Sequence, residues 1–222
     1  MQEIYSTSET RLSSFEVSKV LRNTYALLAM TLLFSAACCG ISMMISPPPM
    51  FSLAMSFGAL ALLWFVLPRT ANSGKGIFVV FAFTGMLGAG LGPTIGYYTA
   101  SAAGSAIVVQ ALGGTALIFF GMSGYALVSR KDFSFMTGFL MTGIMVAFIA
   151  SIANLFFQIP ALHLAISSVF LVVSSLLILW QTSRIVHGGE TNYIMATAGL
   201  YVSLYNVFVS LLSILSAFTG DD

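Results

Sequence analysis

Seven apolar stretches, each long enough to cross a bilayer, leave this chain few ways to fold. They run over residues 24–46, 51–68, 76–98, 105–128, 134–157, 161–184 and 193–218. A membrane-spanning helix needs about 17–25 such residues. In hydrocarbon every backbone N–H and C=O must be satisfied within the chain, so the spans read as α-helices. The breaks are short and turn-rich, as at Pro47-Pro48-Pro49, Arg69 to Lys75, Gln158 to Pro160 and Ile185 to Asn192. Connections of that length join antiparallel neighbours. The expectation is an all-α membrane protein, one seven-transmembrane-helix bundle over 24–218 with no second domain. Composition agrees, because charged residues are 7% of the chain against about 25% in soluble domains. Its natural solvent, and first partner, is the lipid bilayer.

The cations orient the bundle. Arg11, Lys19 and Arg22 precede the first span, and Arg69 and Lys75 lie between the second and third. Arg130 and Lys131 separate the fourth from the fifth, and Arg184 closes the sixth. All eight Lys and Arg therefore fall on one side, and six or eight spans would mix them. Under the positive-inside rule the N-terminus is cytosolic and the C-terminus periplasmic. Residues 1–23 then form a polar cytosolic tail, and 219–222, with Asp221 and Asp222, a periplasmic end. The first apolar run exceeds the 7–15 residues of a signal-peptide core, which makes it a retained helix of an inner-membrane, multi-pass protein. Scattered cations and a net charge of +1 argue against a nucleic-acid partner. Cys38 and Cys39 are adjacent within one span and read as small apolar filler.

Two features stand out inside the spans. The third carries Gly88, Gly92 and Gly96, four residues apart, with a kink-forming Pro93 directly after Gly92. This ridge reads first as a close-packing surface and second as a hinge. The sixth span aligns His163, Ser167, Ser174 and Gln181 on one face, and the seventh aligns Ser203, Asn206, Ser210 and Ser213. Polar stripes on consecutive helices face each other or a wet interior. They either hold the helices together or line a path.

Catalytic readings fail on placement. "GMSG" at 121–124 offers Ser123 as a nucleophile and His163 as its base. The topology sets them near opposite faces of a core about 30 Å thick, whereas nucleophile and base need about 3 Å. No lysine follows Lys131, so a retinal Schiff base in the last helix has no anchor. "HGGE" at 187–190 has too few ligands for a metal site and reads as a turn, with Thr191 or Asn192 capping the last helix. The sequence shows no phosphate-binding or dinucleotide fingerprint. The chain is read as a non-enzyme without catalytic residues, metal or cofactor.

"KVLRNTYALL", "FAFTGMLGAGLGP", "ALGGTALIFF", "RKDFSF", "QIPALHLAIS", "HGGETNYI" and "SLYNVFVSLLSIL" occur in order along residues 17–216. Together they resemble the Bax-inhibitor family of membrane proteins. The resemblance implies, for its enterobacterial members, association with the membrane-anchored AAA protease FtsH and restraint of its action. For other bacterial members it implies a pH-sensitive calcium leak. There, acids on helices six and seven sense protons, and an arginine after helix two latches onto them. In this sequence those acid positions fall on Gln181 in "LWQ" and Ser203 in "LYVSLYN", and Arg69 stands in the latch region. Neither Gln nor Ser titrates near neutral pH, and no Asp or Glu lies within the seven spans. Calcium prefers several oxygens that include carboxylates. The departures favour the protease modulator, with a cation leak as the alternative and Arg69 an interface cation.

Overall fold

The computed structural model describes residues 14–219. Seven helices fill that range: α1 (Ser14–Ile45), α2 (Pro49 to Thr70, in three pieces), α3 (Lys75–Thr99), α4 (Ala102–Ser129), α5 (Thr137–Phe157), α6 (Pro160–Val186) and α7 (Tyr193–Thr219). All seven are long and apolar enough to cross a membrane. Their boundaries follow local chemistry. Pro49 and Pro160 open α2 and α6, where a missing N–H costs nothing. Arg130 and Gln158 close α4 and α5 in the left-handed conformation, at φ 49° and 50°. Each N–H reaches back four residues, to Ala126 O at 3.2 Å and Asn154 O at 2.8 Å.

α1 departs most from the sequence expectation, because it is helical from Ser14 rather than from 24. Helix and apolar span are different things. The turns that carry Glu16, Lys19 and Arg22 stay helical beyond the apolar stretch, giving 32 residues and a length of about 48 Å. The remainder of the proposed tail, residues 1–13, lies outside the described residues, as do Asp221 and Asp222.

α2 is irregular where the sequence reading was silent. Pro49–Ala61 is α-helical, Leu62–Val66 widens into a π-helical turn, and Leu67–Thr70 returns to α. Pro68 supplies the cause. Its ring lacks the N–H that Trp64 O would accept and crowds that carbonyl, and one wide turn absorbs both. α3, by contrast, stays helical through Pro93.

Packing sets a centre and two outriggers. α7 touches α1, α3, α4 and α6, while α1 lies along α3. α2 rests on α3, and α5 on α6. The main core is buried around Leu28, Val80, Phe83, Ile178, Leu200 and Val207. Outside it, large apolar side chains such as Trp64, Phe65, Phe139, Phe148 and Phe156 are exposed. Around a soluble domain such a surface would aggregate; around a bundle with seven bilayer-length helices it is the lipid face.

Hydrogen bonds place the cation-bearing connections together at one end. Asn192, before α7, donates to Ala71 O and Asn72 Oδ1 in the α2–α3 turn, at 3.0 and 2.8 Å. His187, after α6, meets Arg130 O at 3.0 Å. Thr197 Oγ1 donates to Thr24 O on α1 at 3.2 Å. No Lys or Arg sits at the opposite end among the described residues.

Candidate functional site: the polar seam between α6 and α7

The two polar stripes do face each other. Toward the cation-bearing end, Gln181 Nε2 donates to Ser203 Oγ at 3.2 Å, and Ser203 Oγ donates to Gly199 O at 3.1 Å. Gly199 makes the room: a Cβ there would lie 3.3 Å from both Cδ and Nε2 of Gln181. The other amide atom, Gln181 Oε1, is buried and has no hydrogen-bond partner. Exchanging the amide O and N would leave one atom unpartnered all the same. An orphaned buried polar group costs about 1–3 kcal/mol, so Gln181 sits in a place its side chain only half satisfies. The two positions where the family resemblance puts acids are thus within hydrogen-bond distance of each other.

At the opposite end the seam opens. His163 Nε2 and Ser213 Oγ are 3.0 Å apart, and Ser167 Oγ donates to Ser213 Oγ at 3.2 Å. These side chains line a cleft of about 330 Å³ shared by α5, α6 and α7, with Asn154, Asn206 and Ser210 also on its wall. Asn206 stays in this cleft and does not bond Gln181. Ser174, buried between the two ends, completes the line along α6.

The other singled-out residues stay apart from the seam. Arg69 is exposed on α2 and donates to Phe65 O of its own helix. Since α2 rests on α3, no latch between Arg69 and Gln181 is formed. Gly88 and Gly92 press on α1, where a Cβ would come within 2.2 Å of Ser35 O and 2.4 Å of Ser42 Cβ. Gly96 does not share this contact, its nearest neighbour being Met43 Cγ at 3.9 Å. Gly85, which the four-residue spacing skipped, does: its Cβ would meet the Phe34 ring at 2.7 Å. Ser123 approaches Thr182 at 3.4 Å. Nineteen residues of α6, about 28 Å, separate that contact from His163, too far for a nucleophile and base. Among the described residues no three His, Cys, Asp or Glu side chains converge on one point.

Sequence reasoning missed three further polar clusters. Tyr201 OH pairs with Ser35 Oγ and donates to Thr84 O at 3.2 Å, joining α7, α1 and α3. Tyr25 OH and Thr182 Oγ1, 3.2 Å apart, join α1 to α6. At the cation-bearing end a third set binds the α4–α5 loop to α6. Trp180 Nε1 donates to Thr137 Oγ1 at 3.0 Å, and Ser183 Oγ donates to Lys131 O at 3.0 Å. His187 Nδ1 lies 2.8 Å from Ser183 O. Arg184 stacks over the Trp180 ring at 4.9 Å and donates to Gly189 O at 2.8 Å. In the same loop Asp132 accepts from the N–H and hydroxyl of Ser134, at 2.8 and 2.6 Å, which holds its carboxyl below the usual carboxylate range. "HGGE" is a turn, with Gly188 at φ 74°. Asn192 Oδ1 caps α7 by accepting from Ile194 N and Met195 N.

Comparison with known proteins fits this arrangement. The chain is 52% identical over 224 aligned positions to a protein of Escherichia coli K12 named modulator of FtsH protease YccA, covering all of both chains. It has the same similarity to the inner membrane protein YccA of Escherichia coli O6:H1. An uncharacterized membrane protein of Vibrio cholerae is 45% identical over 217 positions, 96% of this chain and 97% of that one. The model of the family described as inhibitor of apoptosis-promoting Bax1 matches residues 17–220. That match takes in all seven helices and both walls of the α6–α7 seam, and the chain belongs to the Bax-inhibitor family as a multi-pass inner-membrane protein.

Proposed function

We propose that this protein is a non-enzymatic inner-membrane modulator that associates with the FtsH protease and restrains its action. The observation that carries the reading is the full-length similarity to a relative named as such a modulator. The seam supports it, because Gln181 and Ser203 form a closed amide–hydroxyl contact with no titratable group. In this reading the N-terminus is cytosolic and the C-terminus periplasmic, as the one-sided cations favour. Residues 1–23 are the cytosolic tail, 24–218 the membrane domain and 219–222 the periplasmic end. The bundle associates with the protease and the tail is the segment the protease engages. Co-purification in mild detergent tests this: FtsH enriches with the wild-type chain, and deletion of the gene speeds turnover of FtsH membrane substrates. No enrichment together with unchanged turnover refutes it.

A cation leak is the second reading, favoured by the polar cleft around His163 and Asn206. Calcium flux into proteoliposomes separates the two. The modulator reading expects no pH-dependent flux from wild type, and flux to appear, if at all, when Gln181→Asp and Ser203→Asp restore two acids. Wild-type flux with the pH profile of that double variant favours the leak.

A further inference from the structure

A hollow larger than the seam's cleft lies elsewhere. It is a groove of about 670 Å³ on the lipid-facing side, walled by α1 and α4 and floored by α3 and α7. On α1 it runs from Tyr25 to Met43, about 27 Å, nearly the full hydrocarbon thickness of about 30 Å. Between Tyr25 and Ser35 its lining is apolar, including Leu28, Leu32, Phe120 and Leu204. That stretch is about 15 Å long, the depth of one leaflet. It ends at the Ser35–Tyr201 hydroxyl pair, whose atoms satisfy each other.

The cation-bearing end of the groove supplies a charge to match. The Tyr25 and Phe119 rings, 5.8 Å apart, form an aromatic lip between the two walls, the chemistry that sits at headgroup level. Arg22 lies one turn beyond Tyr25 on α1. Arg130, three turns beyond Phe119, caps α4 and is in helical register with the groove-lining Leu112. Both arginines are exposed, and neither guanidinium makes a hydrogen bond or ion pair among the described residues. The nearby acid, Asp132, is engaged with Ser134. Basic sites between helices at a membrane surface hold anionic headgroups, and guanidinium matches phosphate oxygens.

We propose that this groove is a binding site for one anionic phospholipid, its acyl chain along Tyr25 to Ser35, its phosphate held at the lip by Arg22, and Arg130 adding positive potential farther out. A transmembrane helix of a partner is the competing occupant; it has no need of the two arginines, and the cross-linking arm of the test below detects it.

The test is native mass spectrometry of the full chain in mild detergent, titrated with phosphatidylglycerol or with phosphatidylcholine of the same acyl chains. Wild type retains one phosphatidylglycerol in preference to phosphatidylcholine. Arg22→Gln lowers phosphatidylglycerol retention roughly fivefold, Arg130→Gln lowers it by less, and both leave phosphatidylcholine unchanged. Arg22→Lys with Arg130→Lys keeps most of the preference. Ala116→Phe, which fills the groove wall, lowers retention of both lipids. Thermal unfolding and elution volume establish that each variant is folded. Equal retention of the two lipids by wild type overturns the proposal, as does wild-type retention in the double Gln variant. So does Ala116→Phe without effect, combined with cross-linking from Ala116→Cys to a second copy or another protein.

Discussion

The two ends of this bundle are built to different standards. At the cation-bearing end, hydrogen bonds cross between connections that are far apart in sequence: Asn192 to the α2–α3 turn, His187 and Ser183 to the α4–α5 loop, Thr197 to α1. At the opposite end most polar groups are satisfied locally. Ser101 caps Gly104 N three residues on, and Asn154 Oδ1 accepts from Ile159 N five residues on. The His163–Ser213 contact is a crossing there, and it borders an open cleft. The glycine ridge of α3 follows the same gradient, tight on α1 at Gly88 and Gly92 and slack at Gly96. Long-range polar contacts are therefore denser at one end of the bundle than at the other.

Four comparisons test that contrast. The largest effect belongs to Gly88→Ala, because the added methyl meets the Ser35 carbonyl and backbone cannot step aside. Overpacking of this kind costs about 1–3 kcal/mol or more. Gly96→Ala, at the slack end, changes unfolding by less than about 0.5 kcal/mol. Thermal unfolding in detergent compares the pair, and equal losses would dissolve the gradient. Next comes Asn192→Ala, which removes the α7 cap, worth about 1 kcal/mol, and two crossing hydrogen bonds worth about 1 kcal/mol each. Asn192→Asp keeps the cap and so recovers part of the loss.

The third comparison sets His187→Ala against His163→Ala. The first unties α6 from the α4 terminus and costs about 1–2 kcal/mol, with faster hydrogen exchange confined to residues 129–137. The second releases one contact beside an open cleft and costs less than the first. The smallest effect is that of Asp132. Its carboxyl is held low by Ser134, so its contribution is complete above the ordinary carboxylate value and fades as pH falls through the lowered one. Asp132→Asn removes that acid-side dependence of loop protection, and a wild-type loop insensitive to acid argues against the assignment.

Much of this was legible in the chain. Long apolar runs and one-sided cations carry their meaning without tertiary context, so the seven helices and the shared face of Gln181 with Ser174 and His163 could be read directly. Partners could not. A spacing of three or four says that residues share a face but not what stands opposite, and the Ser35–Tyr201 pair joins positions 166 apart. Nor does periodicity mark where a helix outlives its apolar stretch, as α1 does beyond Arg22. The wide turn of α2 had a signal in Pro68 that the apolar run around it concealed.

That overhang of α1 has a mechanical consequence. From Ser14 to Ile45 the helix is one continuous rod, without an internal proline or a break. Tension applied near Ser14 cannot be spent by unwinding a loop or flexing a joint before it enters the membrane. It arrives as shear on the contact where α1 slides along Gly85, Gly88 and Gly92 of α3. Axial extraction is then resisted along the whole length of α1, by that close contact together with the hydrogen bonds at Thr24, Tyr25 and Ser35.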